Sequence, residues 1–195
     1  KNEIKIIGDK SLSKRDFLRV TKPLEKFGAK FKTNFGKLPV IIRGTQNPKP
    51  IKYNELKGSA QCKSAVMLAA LNTKGQTIIK AKKSRNHSEL LFKYLKISIK
   101  TFETDKYDLI KIMGKKKIKS FNYKIPSDIS SAAFFIVLTA LSKNSKINLK
   151  NININPSRTG ILKILKMMGV KILLKNIKNY KGEKIADINV KSTQS

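Results

Sequence analysis

Five of the 43 basic residues in this 195-residue chain are arginine, and three of those five share one kind of setting. Arg15, Arg85 and Arg158 each stand in a short polar stretch just ahead of an apolar run with helical spacing. A guanidinium there presents a planar fork of donors that suits a carboxylate or a phosphate. Two further stretches open with small polar residues before a long apolar run: Gly58-Ser59-Ala60-Gln61 and Ser127-Asp128-Ile129-Ser130-Ser131. The first turn of a helix has free N–H groups and the positive end of the backbone dipole, so it attracts anions. Ser59 and Asp128 also serve as N-caps whose side-chain oxygens satisfy such amides. Around Ser59, Gln61 and Lys63 add donors within the same turn. At Asp128 a carboxylate already occupies the anion position, which makes that residue structural. The chemistry on offer is the binding of small anions.

Other reactive types are scarce. The single cysteine, Cys62, excludes an intramolecular disulfide and falls inside an apolar helix as a small core residue. With one His, His87, the usual nitrogen and sulfur zinc sites are excluded too. His87 lies in Ser84-Arg85-Asn86-His87-Ser88-Glu89, which reads as a helix start with a capping-box glutamate. The net charge of +31 is carried mainly by lysines spread through every segment. Only Lys115-Lys116-Lys117 clusters, with no aromatic beside it, so the charge reads as a solvated lysine surface. No run approaches a membrane span, and the 40% hydrophobic content suffices for a core. The expectation is a cytoplasmic α/β protein with no cofactor, no metal, no nucleic-acid partner and no membrane association.

The elements that must carry these loops follow from periodicity. Helices are expected at about Arg15–Phe27, Ala60–Leu71, Ser88–Leu95, Ser130–Leu141 and Gly160–Met168. Strand-like runs lie at Ile4–Ile7, Val40–Ile42, Thr77–Ala81, Ile97–Thr101, Leu109–Met113, Lys146–Leu149, Lys171–Leu174 and Ile185–Val190. The helices around Ala65–Leu71 and Ala132–Leu138 are apolar all round, which predicts burial on every side. They align with a shift of about 70, and a helix-end signature recurs at Gly28, Lys96 and Gly169. Glycine suits a left-handed cap at the first and third of these, and Lys96 breaks the pattern. The repeating unit reads as strand, helix, strand, polar loop, helix, then two strands.

Five motifs occur in order along this repeat: Gly8-Asp9-x-Ser11-Leu12-x-x-Arg15, Ser59-Ala60-Gln61-x-Lys63-Ser64-Ala65, Ser84-Arg85-x-His87-x-Glu89, Asp128-x-Ser130-Ser131-Ala132-Ala133-Phe134 and Asn155-Pro156-x-Arg158-Thr159-Gly160. Together they resemble the 5-enolpyruvylshikimate-3-phosphate synthase family over essentially the whole chain. The resemblance implies an enolpyruvyl transferase fold of βαβαββ units in two globular halves with the active site between them. Residues 1–125 would belong to the first half and 126–195 to the second, both incomplete. It implies transfer of the carboxyvinyl group of phosphoenolpyruvate to the 5-hydroxyl of 3-phosphoshikimate, releasing phosphate, on the route to chorismate and aromatic amino acids. Ser59, Ala60, Gln61 and Arg85 would bind 3-phosphoshikimate, with Ser84 beside them; Arg15 and Gln61 would bind phosphoenolpyruvate. Asp16 stands where the family has proline and places a carboxylate beside Arg15. The family's general acid and base have no counterpart here, so the chain is expected to be a fragment that binds without turning over. The parent enzyme would be a monomer. Two alternatives compete: the transferase acting on UDP-N-acetylglucosamine, whose cysteine sits in a loop, and a lysine-rich nucleic-acid-binding protein.

Overall fold

The computed structural model describes residues 3–115 and 117–192, so Lys116 of the lysine run lies outside it. Among the described residues, two compact units emerge. One comprises the chain up to Ser84 together with Leu95–Ile118; the other comprises Arg85–Tyr94 and the chain from Lys119 onward.

The first unit holds strands β1 (Glu3–Ile6), β2 (Lys30–Asn34), β3 (Lys37–Arg43), β4 (Lys52–Glu55), β5 (Gln76–Lys82), β6 (Ile99–Glu103) and β7 (Tyr107–Met113). Its helices are α1 (Leu18–Glu25) and α2 (Ala60–Ala70), with a 3-10 turn at Leu12–Lys14. Strands β1, β3 and β2 form one antiparallel sheet in that order. A second sheet runs β4-β5-β7-β6, with β4 parallel to β5 and the remaining pairs antiparallel. Val66, Met67 and Ala70 of α2 pack into a core with Ile79, Ala81, Ile110 and Ile112, all fully buried. Alternation does the sorting. β7 buries every second residue from Asp108 to Ile112, as a half-buried strand with period two must.

The second unit holds α3 (His87–Tyr94), α4 (Ile129–Leu141), α5 (Gly160–Met167) and strands β8 (Lys146–Asn153), β9 (Lys171–Tyr180) and β10 (Glu183–Lys191). Its antiparallel sheet runs β8-β10-β9, and Ser127 bridges to Ile152 in parallel. Ile129, Ala132, Ile136 and Ala140 of α4 join Ile152, Leu162, Leu165, Ile188 and Val190 in one cluster.

The expected repetition is present as topology. A strand, a helix and a returning pair give the orders β1-β3-β2, β5-β7-β6 and β8-β10-β9, in each case with the last strand of the copy in the middle. The second and third copies are both preceded by a parallel partner, β4 or the Ser127 bridge, and an apolar helix. The helix-end signature is conformational as well. Gly28 and Gly169 take φ of +102° and +87°, and Lys96 takes +55° in the corresponding place. Lysine therefore adopts the left-handed cap that the sequence pattern seemed to break.

Two expectations need correction. The first helix starts at Leu18, not Arg15, because Asp16 Oδ1 accepts the Leu18 N–H at 2.8 Å and the Phe17 N–H is held by the Gly36 carbonyl at 2.8 Å. The two apolar helices are buried on one face only. Leu68 of α2 and Phe134, Phe135, Leu138 and Leu141 of α4 are all more than half exposed. One sheet can cover only the stripe that faces it, and α4 packs mainly against β8 and β10.

Candidate anion-binding site

Parallel pairing of β4 and β5, with Glu55 opposite Ala81, sends the chain out of both strands at the same end, along the edge formed by their carboxyl ends. That edge is where open α/β sheets present ligand-binding loops. From β4 the chain passes Gly58, whose φ of +68° favours glycine and where an added Cβ would lie 3.4 Å from the Lys83 carbonyl. Ser59 then turns extended, at φ −86° and ψ 104°, and caps α2. Its Oγ accepts the Cys62 N–H at 3.2 Å while its carbonyl accepts from the Lys63 N–H at 3.1 Å. The Ala60 and Gln61 amides have no acceptor among the described residues, which leaves two outward donors at the positive end of α2. The Ser59 hydroxyl proton is likewise uncommitted, so capping and ligand binding are compatible roles for one side chain.

Gln61 is exposed and oriented. Arg19, the second residue of α1, donates from Nη2 to Gln61 Oε1 at 2.9 Å, an arrangement that uses the carbonyl end of the amide and not its NH2 group. Sequence reading overlooked Arg19; its place four residues after Arg15, inside the apolar helical run, was the available signal. Lys63, expected as an additional donor of this turn, is instead completely buried. Cys62 is buried too, as anticipated. Ser84 leaves β5 beside this turn, and its buried Oγ has no partner among the described residues.

The arginines divide into two groups. Arg43 pairs with Glu3, Arg19 with Gln61, and Arg158 with Asp128 at 2.8 Å and with Ser130. Arg15 and Arg85 are exposed, and neither guanidinium has a protein partner among the described residues. Asp16 spends its carboxylate on the α1 start and leaves Arg15 unpaired.

In the second unit Asp128 caps α4 through the Ser130 N–H at 3.2 Å, the structural role expected of it. Together with Arg158 it borders a cleft of about 300 Å³ shared with His87, Tyr123, Asn153 and Glu183. Asn86 caps α3, its carbonyl accepting from the Leu90 N–H at 3.1 Å. The next residue, His87, lies 2.5 Å from Glu183 Oε1 through Nδ1. Burial pushes the Glu183 carboxyl up, but hydrogen bonds from His87, Asn153 and Asn155 outweigh it and hold the group below its ordinary value. Among the described residues no cluster of three His, Cys, Asp or Glu could hold a metal, and no helix is long and apolar enough to cross a membrane.

Comparisons with known proteins agree with this architecture. Residues 1–194 match the family model described as EPSP synthase (3-phosphoshikimate 1-carboxyvinyltransferase). The chain is 42% identical over 193 residues to the 3-phosphoshikimate 1-carboxyvinyltransferase of Caldicellulosiruptor bescii, covering 96% of this chain and 44% of that one. It is 42% identical over 195 residues to that of Ruthia magnifica, covering 100% of this chain and 44% of the relative. An EPSP synthase structure from Acinetobacter baumannii superposes with a TM-score of 0.82 at 38% identity, covering 97% of this chain and 42% of that chain. The enolpyruvyl transferase NikO from Streptomyces tendae shares the fold, with a TM-score of 0.64 at 13% identity and coverage of 97% and 44%. The chain thus spans about 44% of the length of the curated relatives it matches. With its repeated βαβαββ units, its helix-start motifs and these matches, the chain belongs to the EPSP synthase (3-phosphoshikimate 1-carboxyvinyltransferase) family.

Proposed function

We propose that this chain supplies substrate-binding groups for transfer of the carboxyvinyl group of phosphoenolpyruvate to the 5-hydroxyl of 3-phosphoshikimate. The observation that carries the reading is the partition of the arginines. Three are satisfied by protein partners, while Arg15 and Arg85, the two that fall in the substrate motifs, are exposed and unpaired among the described residues. An exposed guanidinium beside polar loops suits a phosphate or carboxylate ligand.

In this reading the Ser59 hydroxyl and the free Ala60 amide meet 3-phosphoshikimate at the start of α2, and Arg85 meets its phosphate. Arg15 binds phosphoenolpyruvate. Gln61, turned by Arg19, touches both. The 5-hydroxyl gives up its proton to a general base as its oxygen bonds to C2 of phosphoenolpyruvate, and a proton adds to C3. The resulting tetrahedral intermediate then releases inorganic phosphate and loses a C3 proton, restoring the vinyl group. None of the binding groups named is assigned as the acid or base. Residues 1–125 and 126–195 are assigned to opposite halves of a monomeric, cytoplasmic enzyme whose partners are these two small anions and no nucleic acid. The burial of Cys62 within α2 weighs against the UDP-N-acetylglucosamine reaction, which uses a loop cysteine.

Calorimetric titration of 3-phosphoshikimate into the full-length protein tests this. Each charge-assisted hydrogen bond lost should cost about 1.5–3 kcal/mol. The Gln61→Ala, Arg85→Ala double variant should therefore bind barely or not at all. A wild type that ignores 3-phosphoshikimate, or a double variant that binds unchanged, overturns the assignment.

A further inference from the structure

Around Glu183, at the start of β10, lies a polar network with no role in the binding reading. Glu183 is buried, with 5% of its surface accessible, yet it carries a carboxylate. One oxygen meets His87 Nδ1 at 2.5 Å; the other accepts from Asn155 Nδ2 at 3.3 Å. Asn155 is 2% exposed, and its Nδ2 also donates to Asn86 Oδ1 at 2.8 Å. Its own Oδ1 accepts from the Ser157 N–H at 2.9 Å and the Ser157 hydroxyl at 2.7 Å, so the carboxamide is fixed at both ends. Gly182, with φ of +92°, brings the β9–β10 turn so close to α3 that an added Cβ would stand 3.0 Å from the Leu90 carbonyl.

Two of these contacts, Glu183 to His87 and Asn155 to Asn86, meet the cap and first residue of α3, and Arg85 is the residue immediately before them. We infer that Glu183 is a positioning residue for Arg85: through His87 directly and through Asn155 to Asn86, it fixes the backbone from which the Arg85 side chain departs. Consecutive Cα atoms are about 3.8 Å apart, so a residue next to a cap pinned by two side chains has little freedom of direction. A buried carboxylate held by polar partners is often no more stabilising than an apolar replacement, so its presence is better explained by geometry than by stability. The inference rests on Arg85 being a phosphate ligand, as read above.

The test uses the full-length protein in four forms: wild type, Arg85→Ala, Glu183→Gln and the double variant, each titrated with 3-phosphoshikimate and assayed in steady state. Glu183→Gln should weaken 3-phosphoshikimate binding about tenfold, raise KM for that substrate and leave KM for phosphoenolpyruvate unchanged. In the Arg85→Ala background it should cause no further loss, because nothing remains to be aimed. A mere loss of folding would add in full and would move both KM values. His87→Ala, at a half-buried residue, removes the same tether and should reproduce the effect if Glu183→Gln fails to fold. Arg85→Ala binding like wild type overturns both the ligand reading and this inference. Arg85→Ala weakening binding while Glu183→Gln and His87→Ala do not, or the losses adding in full, overturns this inference alone.

Discussion

The Arg19 guanidinium donates to Gln61 Oε1 at 2.9 Å across 42 residues of sequence, joining α1 to the first turn of α2. An exposed glutamine has a rotatable amide, and this bond selects which end faces outward. Arg19→Ala should therefore weaken substrate binding by about 0.5–1.5 kcal/mol, the size of one hydrogen bond. In a Gln61→Ala background the same change should cost nothing. A double-mutant cycle by calorimetry reads the coupling directly, and a coupling energy of zero would sink the idea.

Ser59 caps α2 with its Oγ and, in the proposed reading, offers its proton to substrate. The two roles separate by substitution. Ser59→Ala should lower stability by about 1 kcal/mol, and Ser59→Gly by only a few tenths, because glycine is an acceptable cap. Both should weaken 3-phosphoshikimate binding alike, since both lose the hydroxyl. Urea midpoints and titrations on the same pair of variants check this; affinities that track stability would refute the second role.

Glu183 makes stability depend on acid. Its carboxyl is held below the ordinary value of 4.5 by His87, Asn153 and Asn155 against the pull of burial. A lowered carboxyl contributes stability that is complete above its unfolded value and is lost as pH falls through the folded value. The melting temperature should thus be flat above about pH 5 from this group and decline below 4.5. Glu183→Gln should flatten that decline. Melting curves of the two forms between neutral and acid pH decide it, and parallel declines would remove Glu183 as a cause.

Gly114 is a steric necessity of the first unit. A Cβ there would stand 2.2 Å from the Ala70 carbonyl oxygen and 2.3 Å from that of Thr73, both backbone atoms. Neither can step aside without disturbing the end of α2, whose Leu71 carbonyl accepts from the Lys115 N–H at 2.8 Å. Gly114→Ala should destabilise by about 1–3 kcal/mol, as overpacking does. Gly44→Ala, with open space around the added atom, is the control and should be near neutral. Equal denaturation midpoints for the two would contradict the clash.

The repeat and its helices were legible because burial imposes a period on the residues facing the core, whatever the charge outside. Strand edges were less so. β9 runs on through the exposed Lys175 and Lys178, which pair with Asp187 and Ile185 of β10 on either side of a register shift where Asn176 takes a φ of +51°. β2 went unread because Lys30, Lys32 and Asn34 occupy its outer positions. Local motifs singled out Ser59, Gln61, Arg15 and Arg85 as candidates but gave no sign of the long-range contacts near them. The Arg19–Gln61 and His87–Glu183 pairs join residues 42 and 96 apart in sequence, and no local pattern encodes such a meeting. Lys63 misled for the opposite reason: a residue type that usually seeks water is fully buried here.

Among the described residues, strand pairing closes within each copy of the repeat: β3 pairs with β1 and β2, and β10 with β8 and β9. Among the described residues no hydrogen-bonded ladder runs from one copy into the next. Such a module can be duplicated or exchanged without leaving an orphaned strand in its neighbour. Its loops can then diverge separately, one copy keeping a free serine hydroxyl at its helix start while another fills the same place with an aspartate.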